Sequence, residues 1–392
     1  MRIHLYGVQG SGSVFPRLRE REASREVSEY GLLERVFEEL ERHTNADGRL
    51  DCRIDDLLGG PRDRHHLIAF RDRIMNGENV SYGGWTTCIH IETTGGIDLV
   101  FDCGSGFRDC AKDLQEKWGD RPERQLHLFG SHSHRDHTEG LDQAPVCFDP
   151  RNHIHVHGTY QFIRALDEHL GIFSRRPRGG SRRIHTPVTY KLMPTRFFGH
   201  LIETDESRSS PQPQPLAKIA HSTYDVEEPF EIGDARITPF ELFHTGPCLG
   251  YCVESGGKKF VFATDHELRR PDPDETDRSS QEASEAAEAR LIHYATGADV
   301  LYRDGQYLRS EYDGEKGIGE SRPLVRRDWG HTCIEDVEEM ARECQIKHTL
   351  IGHHDPNREW AERRWIDQSL SRNAARDSRI VELAKAETVI EL

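Results

Sequence analysis

No stretch of this 392-residue sequence approaches the roughly 18 consecutive apolar residues that a membrane span requires. Met1-Arg-Ile-His-Leu-Tyr6 also lacks the apolar core of a secretory signal, so a membrane protein or an exported one is not expected. An excess of positive charge is missing too: the formal net charge is −16. Proteins that grip a long polyanion gather Lys and Arg, because affinity rests on phosphate neutralisation and counterion release. A long nucleic acid is therefore not the expected partner. A small phosphorylated substrate stays open, since metal ions can supply positive charge locally. The nine cysteines are scattered and odd in number, which favours reduced thiols in a cytoplasm over a disulfide framework. Each is expected as a small buried apolar residue. Hydrophobic residues make up only 35% and charged residues 31%, so part of the length is expected as surface insertion. No internal repeat is visible.

Against these absences stand many short β-branched and apolar runs that read as strands: Ile3–Val8, Thr87–Glu92, Ile97–Asp102, Gln125–Phe129, His153–His157, Ala235–Phe243, Lys259–Thr264, Asp299–Tyr302 and His348–Ile351. Helices are expected over Tyr160–Leu170 and Thr332–Cys344. The second has Thr332 and Glu335 as a capping-box pair and Ile334, Val337, Ala341 and Cys344 on one face. Strands interspersed with helices suit a layered α/β sandwich. Three stretches break the rhythm, at about residues 15–80, 174–226 and 269–289, and are read as insertions on a single domain. The first has a helical core near Tyr30–His43. Its Leu32, Leu33, Val36, Phe37 and Leu40 recur at helical spacing, which suits packing on the body or on a second copy in a homodimer.

The strongest chemical signal is Leu126-His-Leu-Phe-Gly-Ser-His132-Ser-His134-Arg-Asp136-His137. An apolar strand feeds directly into three histidines and an aspartate. Alternate residues of an extended segment point the same way, so His132 and His134 can reach one ion together. The turn that follows lets Asp136 and His137 face a second. Imidazole and carboxylate suit zinc and similar divalent ions.

These residues resemble the metallo-β-lactamase superfamily, whose remaining motifs follow in order. Leu99-Val-Phe-Asp102-Cys-Gly, Phe243-His244-Thr-Gly, Phe260-Val-Phe-Ala-Thr-Asp265 and Leu350-Ile-Gly-His353-His354-Asp-Pro each place a candidate at a strand end. The resemblance implies an αββα four-layer sandwich with helical and loop insertions. It implies that His132, His134 and His244 hold one ion, that Asp136, His137 and His353 hold the other, that Asp265 bridges them, and that Asp102 supports them. His354, beside His353, is the alternative for the last ligand. Two divalent ions are implied, zinc first, with manganese or iron as alternatives. Such a pair lowers the pKa of a shared water towards neutrality and neutralises charge developing on substrate oxygens, which suits several kinds of hydrolysis.

Trp329-Gly-His331-Thr-Cys narrows the choice. It resembles an element of the tRNA 3′-processing endonucleases and related phosphodiesterases, in which the histidine serves the scissile phosphate or the leaving oxygen. A histidine ahead of a helix N-terminus sits where free amides and the macrodipole favour an anion. His331 is thus the expected general acid or phosphate ligand, with Asp304 orienting it and Asp136 completing the catalytic set. Gly250-Tyr251 resembles the same branch. However, only Cys252–Thr264 separates Tyr251 from Asp265, which leaves no room for the long arm by which those enzymes grip tRNA. A small phosphodiester, a cyclic nucleotide among the candidates, is the expected substrate. A lactonase or thioesterase type and a nuclease of the tRNA-processing type are the alternatives. Gly7-Val-Gln-Gly10-Ser-Gly-Ser and Tyr82-Gly-Gly-Trp85-Thr-Thr resemble bacterial and phage phosphodiesterase-like members, with Gln9 and Trp85 as departures. His153, His155 and His157 are read as one face of an edge strand rather than ligands. The cluster Arg175, Arg176, Arg178, Arg182 and Arg183 is read as a solvated loop.

Overall fold

The computed structural model describes residues 1–12, 32–45, 47–75, 84–172, 193–204, 221–272 and 275–392. The arginine cluster from Arg175 to Arg183, the Pro211–Pro215 run, Tyr30 and Tyr82 lie outside them. The chain forms two compact units, Met1–Val14 with Tyr82–Leu392, and Phe15–Ser81. The smaller unit contains helices α1 (residues 32–42), α2 (Ile54–Leu58) and α3 (Arg64–Met75) around Leu57, Leu58 and Phe70.

The larger unit is built on two sheets. The first contains β1 (Arg2–Gly7), β2 (Cys88–Glu92), β3 (Asp98–Phe101), β4 (Arg124–Phe129), β5 (Asn152–Gly158), β6 (Arg196–Glu203), β7 (His221–Asp225) and β15 (Val389–Glu391), in the order β15-β1-β2-β3-β4-β5-β6-β7. The second contains β8 (Phe230–Ile232), β9 (Ala235–Leu242), β10 (Cys248–Ser255), β11 (Lys258–Ala263), β12 (Val300–Asp304), β13 (His348–Gly352) and β14 (Ile380–Leu383), in the order β14-β13-β12-β11-β10-β9-β8. Alternation puts one side chain in two between the sheets: Ile89, Leu99, Phe101 and Phe129 from the first meet Tyr251, Phe260, Phe262 and Tyr302 from the second. Helices α4 (Phe107–Trp118) and α5 (Tyr160–Ile172) cover the outside of the first sheet, α4 with Phe107, Cys110, Ala111, Leu114 and Trp118 along one stripe. Helices α6 (Ser279–Ala295), α8 (Ile334–Glu343) and α9 (Trp360–Ala374) flank the second, and α7 (Arg309–Tyr312) is a single turn between β12 and α8. The result is four layers, αββα. No helix among the described residues is long and apolar enough to cross a membrane.

Several expectations need correction. Residues 174–226 hold two regular strands, β6 and β7, which extend the first sheet in parallel behind β5. The Ser/Ala-rich part of residues 269–289 runs into α6, whose Ala287, Leu291 and Ala295 are buried on the second sheet. The Thr332–Glu335 capping box does not form. Helix α8 starts behind Cys333 without a side-chain cap, because Thr332 Oγ1 instead donates to the His266 carbonyl at 2.5 Å and accepts from Leu268 N–H at 3.0 Å. Glu335 meanwhile accepts from the Arg309 backbone N–H. Tertiary partners outcompete the local motif at both residues.

Candidate metal centre

Parallel and alternating pairing brings the C-terminal ends of β3, β4, β9, β11, β12 and β13 to one edge of the sandwich. Asp102, His132 to His137, His244, Asp265 and His353 follow those ends, and Asp304 closes β12. Three of them have a left-handed backbone, Asp102 at φ 57°, Asp265 at φ 56° and His353 at φ 54°. Strain of this kind, of order 1–3 kcal/mol per residue, persists where the surrounding fold over-determines the chain and clusters at functional sites.

The donor atoms meet in two groups. His137 Nε2, His353 Nε2, Asp136 Oδ2 and Asp265 Oδ1 are spaced 3.3–3.4 Å apart in the pairs that touch: 3.4 Å between the two histidines, 3.4 and 3.4 Å from His137 to the two carboxylates, 3.3 and 3.3 Å from His353. Four ligands about 2.0–2.1 Å from one zinc stand about 3.3–3.4 Å apart, the edge of a tetrahedron. In the other group His134 Nδ1 lies 3.2 Å from His244 Nε2, while Asp265 Oδ2 lies 3.6 Å from His132 Nε2 and 3.7 Å from His244 Nε2. The two oxygens of Asp265 thus face one histidine set each. His132 Nε2 is buried with no hydrogen-bond partner, a costly arrangement unless something accepts its lone pair. The residues fit two cations with Asp265 between them.

Neighbouring groups fix the rings. Asp102, fully buried, accepts from Ser131 N–H at 2.7 Å, Ser131 Oγ at 2.7 Å and His137 Nδ1 at 2.6 Å. Ser131 Oγ in turn accepts from His132 Nδ1 at 3.0 Å. His244 Nδ1 donates to the Gly330 carbonyl at 2.9 Å. In all three histidines Nδ1 carries the proton and Nε2 is left as a ligand, the usual way an imidazole is oriented for a metal. Burial pushes His132 well below its usual pKa, so it is neutral and ligand-competent. Burial also disfavours charge on His137, yet Asp265, Asp136 and Asp102 outweigh it and raise its pKa; a cation competes with that proton for the same nitrogen. The backbone approaches closely here. A Cβ on Gly10 would stand 2.4 Å from His353 Nδ1, and one on Gly330, at φ 86°, 2.0 Å from His244 Nδ1.

No protein-family model and no curated protein matches the chain in sequence. Among solved structures, Zn2+-bound PqqB from Methylobacterium extorquens aligns over 100% of this chain and 100% of its own, with a TM-score of 0.53 and 12% identity. The short form of human tRNase Z aligns over 100% and 99%, with a TM-score of 0.50 and 13% identity. The chain has the metallo-β-lactamase fold.

Within this fold, His353 and not His354 joins the donor atoms. His354 points away, with Nε2 donating to the Ala384 carbonyl at 2.8 Å, and burial lowers its pKa to about 3. Gln9 is buried and donates to the His354 carbonyl, which fastens the first strand's exit to the segment after β13. The His331 ring is centred 4.7 Å from that of His353 and 5.4 Å from that of His244. Its Nδ1 lies 3.2 Å from Asp304 Oδ2, and Asp304 also accepts from His266 N–H at 3.1 Å and Thr332 N–H at 3.3 Å. Burial lowers the His331 pKa, but the bond to Asp304 and the nearby carboxylates outweigh it and raise it. Strand β5, which carries His153, His155 and His157 on one face, lies between β4 and β6 and not at an edge, and its histidines stack across strands: His127 Nδ1 meets His157 Nε2 at 3.1 Å, and His155 Nδ1 meets His200 Nε2 at 3.0 Å.

Sequence reasoning passed over Glu267 and His266. Glu267 is buried and accepts from Asp328 N–H at 2.9 Å, Gly330 N–H at 2.8 Å and Tyr312 Oη–H at 2.5 Å. It therefore ties down the loop whose Gly330 carbonyl holds His244. His266 packs against Glu288, which pairs with the fully buried Arg303 at 2.9 and 2.7 Å. Both residues follow Asp265 directly, where a His–Glu pair straight after a strand is the signal that was available.

Proposed function

We propose that this chain is a di-metal hydrolase acting on a small phosphodiester, with zinc as the metal its imidazole and carboxylate donors suit best. The observation that carries the reading is His331, buried beside both histidine groups and held through Nδ1 by Asp304, which leaves its other nitrogen for a substrate. When bound, two such ions lower the pKa of water and offset negative charge on phosphoryl oxygens. Asp265 and Asp136 place carboxylate oxygens among the histidines, so the ions' positions follow from strand ends and not from mobile loops. His331 donates a proton from Nε2 to the departing alkoxide, and Asp304 keeps the ring turned for that transfer. A thioester, whose thiolate leaves unprotonated, needs no such donor at that place.

Size is argued from two features. Tyr251 and Asp265 lie on a tight hairpin, β10 paired to β11 from Tyr251↔Phe262 to Ser255↔Lys258, with no arm between them. The net charge of −16 also disfavours a long polyanion. A cyclic nucleotide meets both conditions. The test is His331→Ala in zinc-loaded protein, assayed on bis(p-nitrophenyl) phosphate, cyclic nucleotides, a lactone and a thioester. Cyclic-nucleotide turnover, which expels an alkoxide, should fall about 10²–10⁴-fold with metal content unchanged, while bis(p-nitrophenyl) phosphate, whose nitrophenolate leaves unprotonated, should fall far less. Unaltered turnover of the cyclic nucleotide, or wild-type activity confined to the lactone or thioester, contradicts the reading.

A further inference from the structure

We propose a third, structural metal site in the smaller unit, formed by His43, Asp51 and Cys52 and taking a thiophilic divalent cation of the zinc class. One donor atom from each residue lies within 4.8 Å of the other two. This site is independent of the hydrolase reading.

The local sequence explains why the three residues meet. Helix α1 ends at residue 42, and His43 follows it directly. The chain then reverses through a knitted turn. Thr44 bridges Leu50, Asn45 N–H donates to the Arg49 carbonyl at 2.8 Å, and the Asn45 side chain accepts from Asp47 N–H and Arg49 N–H, each at 3.0 Å. Asp51 N–H closes the loop on the His43 carbonyl at 2.9 Å. The turn therefore sets Asp51 and Cys52 opposite His43, with His43 Nδ1 3.7 Å from Asp51 Oδ1. On one zinc, imidazole, carboxylate and thiolate donors stand about 3.3–3.6 Å apart, so a small rotation of partly exposed side chains closes the site.

Two further observations point to a ligand. Eight of the nine cysteines are buried, and Cys52 is the exception, half-open on the edge of the small apolar cluster. The unit containing it spans Phe15–Ser81, yet only Leu57, Leu58 and Phe70 form its buried apolar centre among the described residues, with Val36, Leu40, Cys52 and Ile74 against them. A metal clamped between the end of one helix and the segment leading to the next ties both elements to this cluster. Binding displaces the Cys52 thiol proton to solvent and leaves a thiolate–metal bond.

Cobalt(II) substitution of the full chain tests this, because a thiolate–cobalt bond gives a near-ultraviolet charge-transfer band that histidine and carboxylate ligands do not. The expected result is that band, with three cobalt ions per chain. Cys52→Ser should abolish it and leave two ions; Asp265→Ala should retain it while losing ions from the other site. Asp51→Asn, which keeps the side chain's shape, should keep the band with about 10–100-fold weaker cobalt affinity. The proposal is overturned by a saturated wild-type protein without the band, by a band that survives in Cys52→Ser, or by Asp51→Asn binding cobalt as tightly as wild type.

Discussion

Replacing Glu267 by Gln tests how the loop before His331 is coupled to the metal centre. The substitution keeps the side chain's shape but leaves one acceptor oxygen where there were two. If that oxygen takes the place facing Asp328 N–H and Tyr312 Oη–H, the new NH2 confronts Gly330 N–H, a donor against a donor at a contact that is now 2.8 Å. A buried N–H left unpaired costs about 1–3 kcal/mol, and two charge-assisted bonds become neutral ones of about half the strength. With some relief from removing a buried charge, the expected loss of folding stability is about 3 kcal/mol. Gly330 then loses its anchor, and its carbonyl, 2.9 Å from His244 Nδ1, no longer fixes that ring. Zinc affinity should fall about 10–100-fold, the usual effect of disturbing a group that orients a ligand. Denaturant unfolding measures the first quantity and chelator competition the second. A variant within about 0.5 kcal/mol of wild type, a change typical of an inconsequential surface site, and with unchanged zinc affinity refutes the coupling.

Further expectations follow from the same network. At Glu288 burial raises the pKa, but Arg303 and His266 outweigh it and hold the carboxyl at about 2 against an ordinary 4.5. Its contribution of about 3 kcal/mol is therefore present above pH 4.5 and lost as pH falls through 2; Glu288→Gln should flatten the acid side of a stability–pH curve, and an identical curve would contradict this. Gly330→Ala puts a Cβ at positive φ and 2.0 Å from His244 Nδ1, so bound zinc, read by elemental analysis, should drop by one ion while the far-ultraviolet circular dichroism stays that of a folded chain.

The strand-end motifs were legible because each combines an apolar run with a polar stop. His132, His134, Asp136, His137, His244, Asp265 and His353 all arrive at one edge for that reason, and the predicted strands carrying them are present with shifts of a residue or two. The left-handed turns at Asp102, Asp265 and His353 were not legible, since no glycine marks them. Strands β6, β7, β14 and β15 escaped because they are short or flanked by charged and proline-rich sequence, and their pairing comes from neighbours already in place. Thr332 illustrates the same limit from the other side: its local pattern promised a cap, but the His266 carbonyl, far away in sequence, claimed its hydroxyl. Glu267 was missed for a related reason, because its three partners lie 45–63 residues along the chain.

The most direct test of the central claim is anomalous diffraction at the zinc absorption edge from crystals of the metal-loaded protein. Two peaks about 3.5–4 Å apart should flank the Asp265 carboxylate, one among His132, His134 and His244, the other among Asp136, His137 and His353. A single peak, or none within coordination distance of Asp265, contradicts the account.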